Sequence, residues 1–264
     1  MSDFIRSVDL KLSRAKIQVQ QLNETINLWS ERNLLSVRCE KHDGDLGFRV
    51  FLNAFPEPAP LDDWSLTVGE FIHNLRSLLD NLVYALARLK NDPPKVPKSI
   101  FFCITKNKAS FSQYKSTCLS QLPSNPALLI EMLQPFQRDG SPENGTPESD
   151  PLLFLQELNN SDKHRVPSVV LFAPKEINHS FSFEITDGEQ MPPDVIIWDG
   201  PLEPNCILLD CKTKFPIKKI SGSVECRATV SLLINNKSNE LIPMLQGLGS
   251  YTELVVAQFR RFFE

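Results

Sequence analysis

LTVGEFIHNLRSLLDNLVYALARL, Leu66–Leu89, decides how this chain reads. Leu66, Val68, Phe71, Ile72, Leu75, Leu79, Leu82, Val83, Leu86 and Leu89 recur at steps of three and four, which gathers them into one apolar stripe of an α-helix. Asn91-Asp92-Pro93-Pro94 stops the helix, because proline donates no N–H and obstructs the preceding turn. At about 100° per residue the stripe centres near Leu75, Leu82 and Leu86. Arg76 borders it, with Asp80, His73 and Tyr84 successively further round. The four polar residues therefore form one band beside the core.

Two chemistries fit that band. Arg76 and Asp80 stand four residues apart and His73 lies one turn from Arg76. Arg76 would fix an anionic group while His73, oriented by a carboxylate, transfers a proton. Alternatively, Arg76 and Asp80 are a helix-surface ion pair contributing about 0.3–0.5 kcal/mol.

A second cluster, Asp162-Lys163-His164-Arg165, follows the helical run Pro151–Asn159. Cations are favoured at a helix C-terminus, so a solvated turn accounts for it. Equally, a short charged link between a helix and a buried strand would carry His164 or Arg165 into the cleft of His73 and Arg76. The candidate catalytic residues are thus His73, Arg76 and His164, and the candidate binding residues Asp80, Tyr84, Asp162, Lys163 and Arg165.

Outward from the motif helix, residues 4–34 repeat apolar positions at helical spacing without Gly or Pro. LLSVRCEK and GFRVFLNAF, separated by His42-Asp43-Gly44-Asp45, read as a β-hairpin. Ser99–Ile104 (SIFFCI) reads as a strand, Lys108–Leu119 and Pro126–Leu133 as short helices, and QRDGSPENGTPESD as a mobile loop. After Pro167 the period falls towards two: SVVLFA, SFSFEIT, DVIIWDG, CILLDCK and VECRATVSLLI are five β-type segments. Ile242–Phe263 is helical again. The expected fold is α+β: a helical N-terminal half with a β-hairpin, a β-rich C-terminal half and a closing C-terminal helix. The expected division is 1–165, mainly helical, and 166–264, β-rich with the last helix, either separate or packed as one domain.

The chain's 264 residues, 41% hydrophobic and 23% charged, are enough for a sizeable core. A net charge of −4 and a pI near 5.7 argue against bulk electrostatic attachment to duplex nucleic acid, though not against a local basic pocket. The opening MSDFIRSVDLKLSRAK has scattered charges and no continuous apolar core, unlike a signal peptide. No stretch approaches the roughly 18 apolar residues of a membrane span. A cytoplasmic protein with no membrane partner is expected.

Six cysteines occur without a CxxC pair, and buried, reduced thiols are the expected state. A metal site of His73, Asp80, Asp162 and His164 lacks any HxH or HxxxH spacing. Phosphate-loop, dinucleotide and GxSxG patterns are absent, and no cofactor is expected. His42 and His179 fall in turns, and Trp64 and Trp198 read as core or rim aromatics.

GEFIHNLRSLLDNLVYALA (Gly69–Ala87) with LNNSDKHR (Leu158–Arg165) resembles a group of uncharacterised bacterial proteins. These share a helix of the form G-[DE]-x-x-H-N-L-R-S-x-L-D-[HN] and a later N-x-D-K-H-R. More remotely, the chain is similar to HEPN domains, helical modules that include metal-free ribonucleases. Their signature is an Arg and a His on the same helix with four to six residues between them. Arg76 matches the Arg, whereas Asn81, Leu82 and Val83 occupy the positions for the His. The likeness implies RNA or nucleotide binding, with His73 or His164 taking the proton chemistry if RNA is cut. The alternative is a non-catalytic interaction protein, homodimeric through its helical half, in which the Arg, Asp and His cluster is a structural polar network.

Overall fold

The computed structural model describes residues 4–42, 44–162, 166–172, 178–186, 188, 191–225, 228–235 and 237–264, without the side chains of 178–181 and 223–225. The fold is α+β, as expected, with six helices and nine strands among the described residues. The helices are α1 (Arg6–Arg32), α2 (Leu61–Arg88), α3 (Lys108–Lys115), α4 (Ser124–Met132), α5 (Pro151–Asp162) and α6 (Leu241–Phe259). The strands are β1 (Val37–His42), β2 (Gly47–Leu52), β3 (Val169–Phe172), β4 (Asn178–Ile185), β5 (Asp194–Ile197), β6 (Ile207–Lys212), β7 (Ile217–Glu225), β8 (Thr229–Ile234) and β9 (Lys237–Glu240).

The chain forms two compact units that do not follow the expected cut at residue 165. One comprises residues 1–22, 63–167 and 242–264; the other comprises 23–62 and 168–241. The reason is pairing: β2 bonds antiparallel to β6, so the N-terminal hairpin belongs with the C-terminal strands. The closing helix α6 belongs with the helical unit.

In the helical unit α2 is the central element. It begins at Leu61, a turn before the expected start, and buries Trp64, Val68, Phe71, Ile72, Leu75, Leu78, Leu79, Leu82, Val83 and Leu86. Burial so far round its circumference marks a helix enclosed by neighbours, not one resting on a surface. Leu66, assigned to the stripe by spacing, is exposed. On one side α1 approaches, where Asn74 Nδ2 donates to the Lys11 carbonyl at 3.0 Å. On another, a Cβ on Gly249 of α6 would lie 3.7 Å from the Phe71 ring. Helices α1 and α6 are joined by Arg260 on Asp9 at 2.6 Å and Lys16 on Glu253 at 2.8 Å.

SIFFCI, expected to be a strand, is not one: Ile100 has extended backbone angles, but Ile100–Thr105 carry no regular secondary structure and join no sheet. The QRDGSPENGTPESD stretch, expected to be mobile, is closed by its own hydrogen bonds. Asp139 accepts from Ser141 N at 2.9 Å and Asn144 Nδ2 at 3.0 Å, and Gly145 N donates to the Ser141 carbonyl at 2.8 Å. These bonds to the charged form pull the Asp139 pKa down to about 2. The loop ends at buried Asp150, which caps α5 through Leu152 N at 2.9 Å and receives Arg138 Nε at 2.7 Å.

The strand unit holds three antiparallel sheets, ordered β1-β2-β6-β5, β3-β8-β9 and β4-β7. Seven strands follow residue 166 where five segments were expected. VECRATVSLLI divides between β7 and β8, and β9 has a polar sequence, KSNE, that carries no apolar alternation. Phe48, Val50, Leu209, Cys211 and Ile217 form a buried cluster, joined by Phe183 and Ile220 from the β4–β7 ribbon. Between β1 and β2, Gly44 and Asp45 take positive φ of 66° and 69°; Asp43 lies outside the described residues. No helix among the described residues is long and apolar enough to cross a membrane.

Candidate functional site

Gly69, His73, Arg76, Asp80 and Tyr84 succeed one another along one side of α2, since steps of three and four residues return to the same face. At the middle of this band sits Phe102. Arg76 Nη1 donates to Asp80 Oδ1 at 2.5 Å, and Arg76 Nη2 donates to the Phe102 carbonyl at 2.8 Å. Phe102 N in turn donates to Asp80 Oδ1 at 2.8 Å. Both backbone polar groups of Phe102 are therefore held by one ion pair of α2. The Arg76 side chain is 14% exposed and that of Asp80 37%.

The rest of the Ile100–Thr105 segment is bonded in the same way. Buried Gln134 accepts from Thr105 N at 3.0 Å and donates to the Cys103 carbonyl at 2.9 Å and to the Ile130 carbonyl at 3.0 Å. Gln156 Nε2 reaches the Ile104 carbonyl at 3.3 Å. Buried backbone groups need partners, and here side chains supply what an adjacent strand ordinarily would. Buried Phe102, Cys103 and Ile104 are thus held in place outside any helix or strand.

The two sequence motifs meet at Gly69. A Cβ there would lie 2.5 Å from Oδ1 of Asp162, so the glycine lets the carboxylate rest against the backbone of α2. Asp162 is the last residue of α5, which runs three residues past its expected end at Asn159. His73, one turn further along α2, is exposed, as is Tyr84. Lys163, His164 and Arg165 lie outside the described residues. The structure thus joins Arg76 with Asp80 and brings Asp162 to the start of the band.

That contact makes a testable cycle. Helix propensity favours Gly69→Ala by about 0.5–1 kcal/mol, and the encounter with Asp162 opposes it. Gly69→Ala alone is expected to change the unfolding free energy little. In an Asp162→Ala background it should stabilise by about that propensity, read from urea melts of the four proteins. Equal effects in both backgrounds would contradict the contact.

No carboxylate among the described residues pairs with His73; the histidine so held is His42. His42 is the last residue of β1, not a turn residue, and its Nε2 lies 3.0 Å from Asp210 Oδ1. Arg49 Nε donates to the other oxygen, Oδ2, at 3.0 Å. The imidazole reaches across Gly47, where a Cβ would stand 2.8 Å from Nε2. Spacing in sequence does not signal this group, because it depends on the registers of β1 with β2 and β2 with β6. Burial raises the Asp210 pKa, but the hydrogen bond and charge of Arg49, with those of His42, outweigh it and leave the carboxyl below its usual value. A depressed carboxylate pKa stabilises the fold above the ordinary value of about 3.9, and that gain is lost as pH falls through the folded-state pKa. Stability measured by urea melts should therefore fall less steeply below pH about 4 in Asp210→Asn than in the native chain. An unchanged slope would contradict the assignment.

The thiols of Cys103 and Cys118 are buried, and Cys118 Sγ donates to the Tyr114 carbonyl at 3.0 Å. The neighbouring Cys118 thiol, together with burial, raises the Cys103 pKa well above that of a free thiol. Cys211 is buried and Cys39 and Cys206 half-buried; Cys226 lies outside the described residues. Among the described residues no group of three His, Cys, Asp or Glu side chains is placed to hold a metal ion.

No family model, curated protein or solved structure matches this chain.

Proposed function

We propose that this chain acts as a non-catalytic interaction protein, and that Arg76 and Asp80 form a structural polar network at the centre of its helical unit. The observation that supports the reading is the engagement of both side chains by the backbone of Phe102. The two Nη groups of the guanidinium already serve a carboxylate and a carbonyl, and the side chain is only 14% exposed, which leaves little of it open to a phosphate. Among the described residues no carboxylate pairs with His73 to orient it for proton transfer.

A second reading, RNA or nucleotide binding with ribonuclease activity, is favoured by the meeting of Asp162 with Gly69. It places the head of the Asp162–Arg165 motif one turn from His73. His73 and His164 would then serve as acid and base, and Lys163 and Arg165 as phosphate contacts.

Incubation with mixed single-stranded RNA, with and without chelator, separates the two. The native chain, His73→Ala and His164→Ala are expected to give identical RNA profiles and no saturable binding. Cleavage that survives the chelator and disappears in both variants, at unchanged melting temperature, would establish the ribonuclease reading instead.

A further inference from the structure

Strand β5 is the edge of the β1-β2-β6-β5 sheet, and its sequence, Asp194-Val195-Ile196-Ile197, is exposed throughout. Such an edge is normally short, charged or covered. This one is short but apolar: Ile196 is 66% and Ile197 53% exposed, and Trp198 beside them is exposed as well. The ladder sets Val195 opposite Cys211 and Ile197 opposite Leu209. Cys211 and Leu209 are buried beneath the β4–β7 ribbon, whereas Val195 and Ile197 on the same face are not. The core layer therefore stops one strand short of the edge.

The backbone is also available. Trp198 N donates inward to the Leu208 carbonyl at 2.9 Å. Bonding alternates along an antiparallel strand, so Ile196 faces β6 in the same way while the N–H and C=O of Val195 and Ile197 point outward. Trp198 is a fixed anchor: its Nε1 donates to the Pro201 carbonyl at 3.0 Å, and its ring lies where a Cβ on Gly200 would stand, 2.5 Å from Cζ2.

Charge selects the occupant. Asp194 and Asp199 bracket the apolar run and are both exposed. Lys212 stands opposite Asp194 in the ladder, on the side away from the outer edge. A strand with an apolar centre and a basic residue at each end would bring its cations to these two exposed carboxylates.

We propose that the outer edge of β5 is a strand-addition site for an extended segment of a partner protein, apolar at its centre and carrying Lys or Arg at both ends. The inference rests on the interaction-protein reading only in that the chain works by binding; it is independent of the Arg76–Asp80 clamp. The probes are two synthetic peptides of alternating Val and Thr, one flanked by Lys and the other by Glu. Added to the isotope-labelled 264-residue chain, the Lys-flanked peptide should bind saturably and slow amide exchange at Val195 and Ile197. The Glu-flanked peptide should bind roughly tenfold more weakly.

Ile197→Pro removes an outward N–H without touching the β5–β6 ladder, so it should abolish binding at an unchanged melting temperature. Asp194→Lys with Asp199→Lys should reverse the preference between peptides, a check that does not depend on proline being accommodated. No binding of the Lys-flanked peptide, equal binding of both peptides, or retention by Ile197→Pro would overturn the proposal. Self-association of the native chain that Ile197→Pro abolishes would also overturn it, by assigning the edge to a second copy. The RNA experiment leaves β5 untouched and the peptide experiment leaves α2 untouched, so either can fail alone.

Discussion

Arg76→Ala is expected to lower the free energy of unfolding by about 2–4 kcal/mol, far more than an exposed pair on a helix would contribute. Three losses combine. The Phe102 carbonyl is left without its donor, Asp80 loses its counter-ion, and the buried stem of Arg76 leaves a gap against α2. Chemical denaturation measures this directly. A decrease below about 0.5 kcal/mol would mean that the pair is the ordinary surface interaction its spacing alone implies. Replacing both partners by apolar residues of similar size, Arg76→Met with Asp80→Leu, sharpens the point. A simple ion pair is often replaced in this way at little cost. Here the double variant should stay destabilised, because the N–H and C=O of Phe102 would both lack partners.

Gln134→Ala should cost about 3–5 kcal/mol, the larger of the two effects. Its amide bonds Thr105 N and the carbonyls of Cys103 and Ile130 from a fully buried position. Alanine removes all three bonds and leaves a cavity that water fills only if the neighbouring groups open towards solvent. Gln134→Glu keeps the shape and the acceptor but places a charge in the core and removes both donated bonds. It should be destabilised to a comparable extent at neutral pH and partly recover on acidification, as the carboxyl protonates. Melts of the two variants across pH check both statements. A Gln134→Ala protein as stable as the native chain would show that the Ile100–Thr105 segment does not depend on its side-chain partners.

Helix α2 was readable from sequence because its apolar period is unbroken over many turns. The wheel also located the band of His73, Arg76, Asp80 and Tyr84 correctly as a border to the core. It could not show what the band touches. SIFFCI reads as a strand from its β-branched and aromatic residues but joins no sheet, because pairing depends on neighbours that no local pattern encodes. The signal for the clamp was indirect: an apolar run placed between helices has backbone groups to satisfy and no strand beside it.

The division of the chain was hidden for a related reason. The partner of β2 is β6, more than a hundred residues away, and a hairpin near the N-terminus gives no sign of which distant strand will extend it. The same long-range register assembles His42, Arg49 and Asp210, and it leaves β5 at an edge. The polar KSNE strand β9 escapes pattern reading altogether, because its pairing with β8 is not accompanied by apolar alternation.

The central claim is that Asp80 and Arg76 hold the backbone of Phe102, and the Phe102 amide reports on it most directly. Hydrogen exchange should find that N–H protected in the native chain although its acceptor is a partly exposed side chain. Asp80→Ala should release it selectively, raising its exchange rate by at least about tenfold while the amides of Leu78, Leu79 and Leu82 within α2 keep their protection. A Phe102 amide that exchanges freely in the native chain, or one whose protection survives Asp80→Ala, would contradict the clamp.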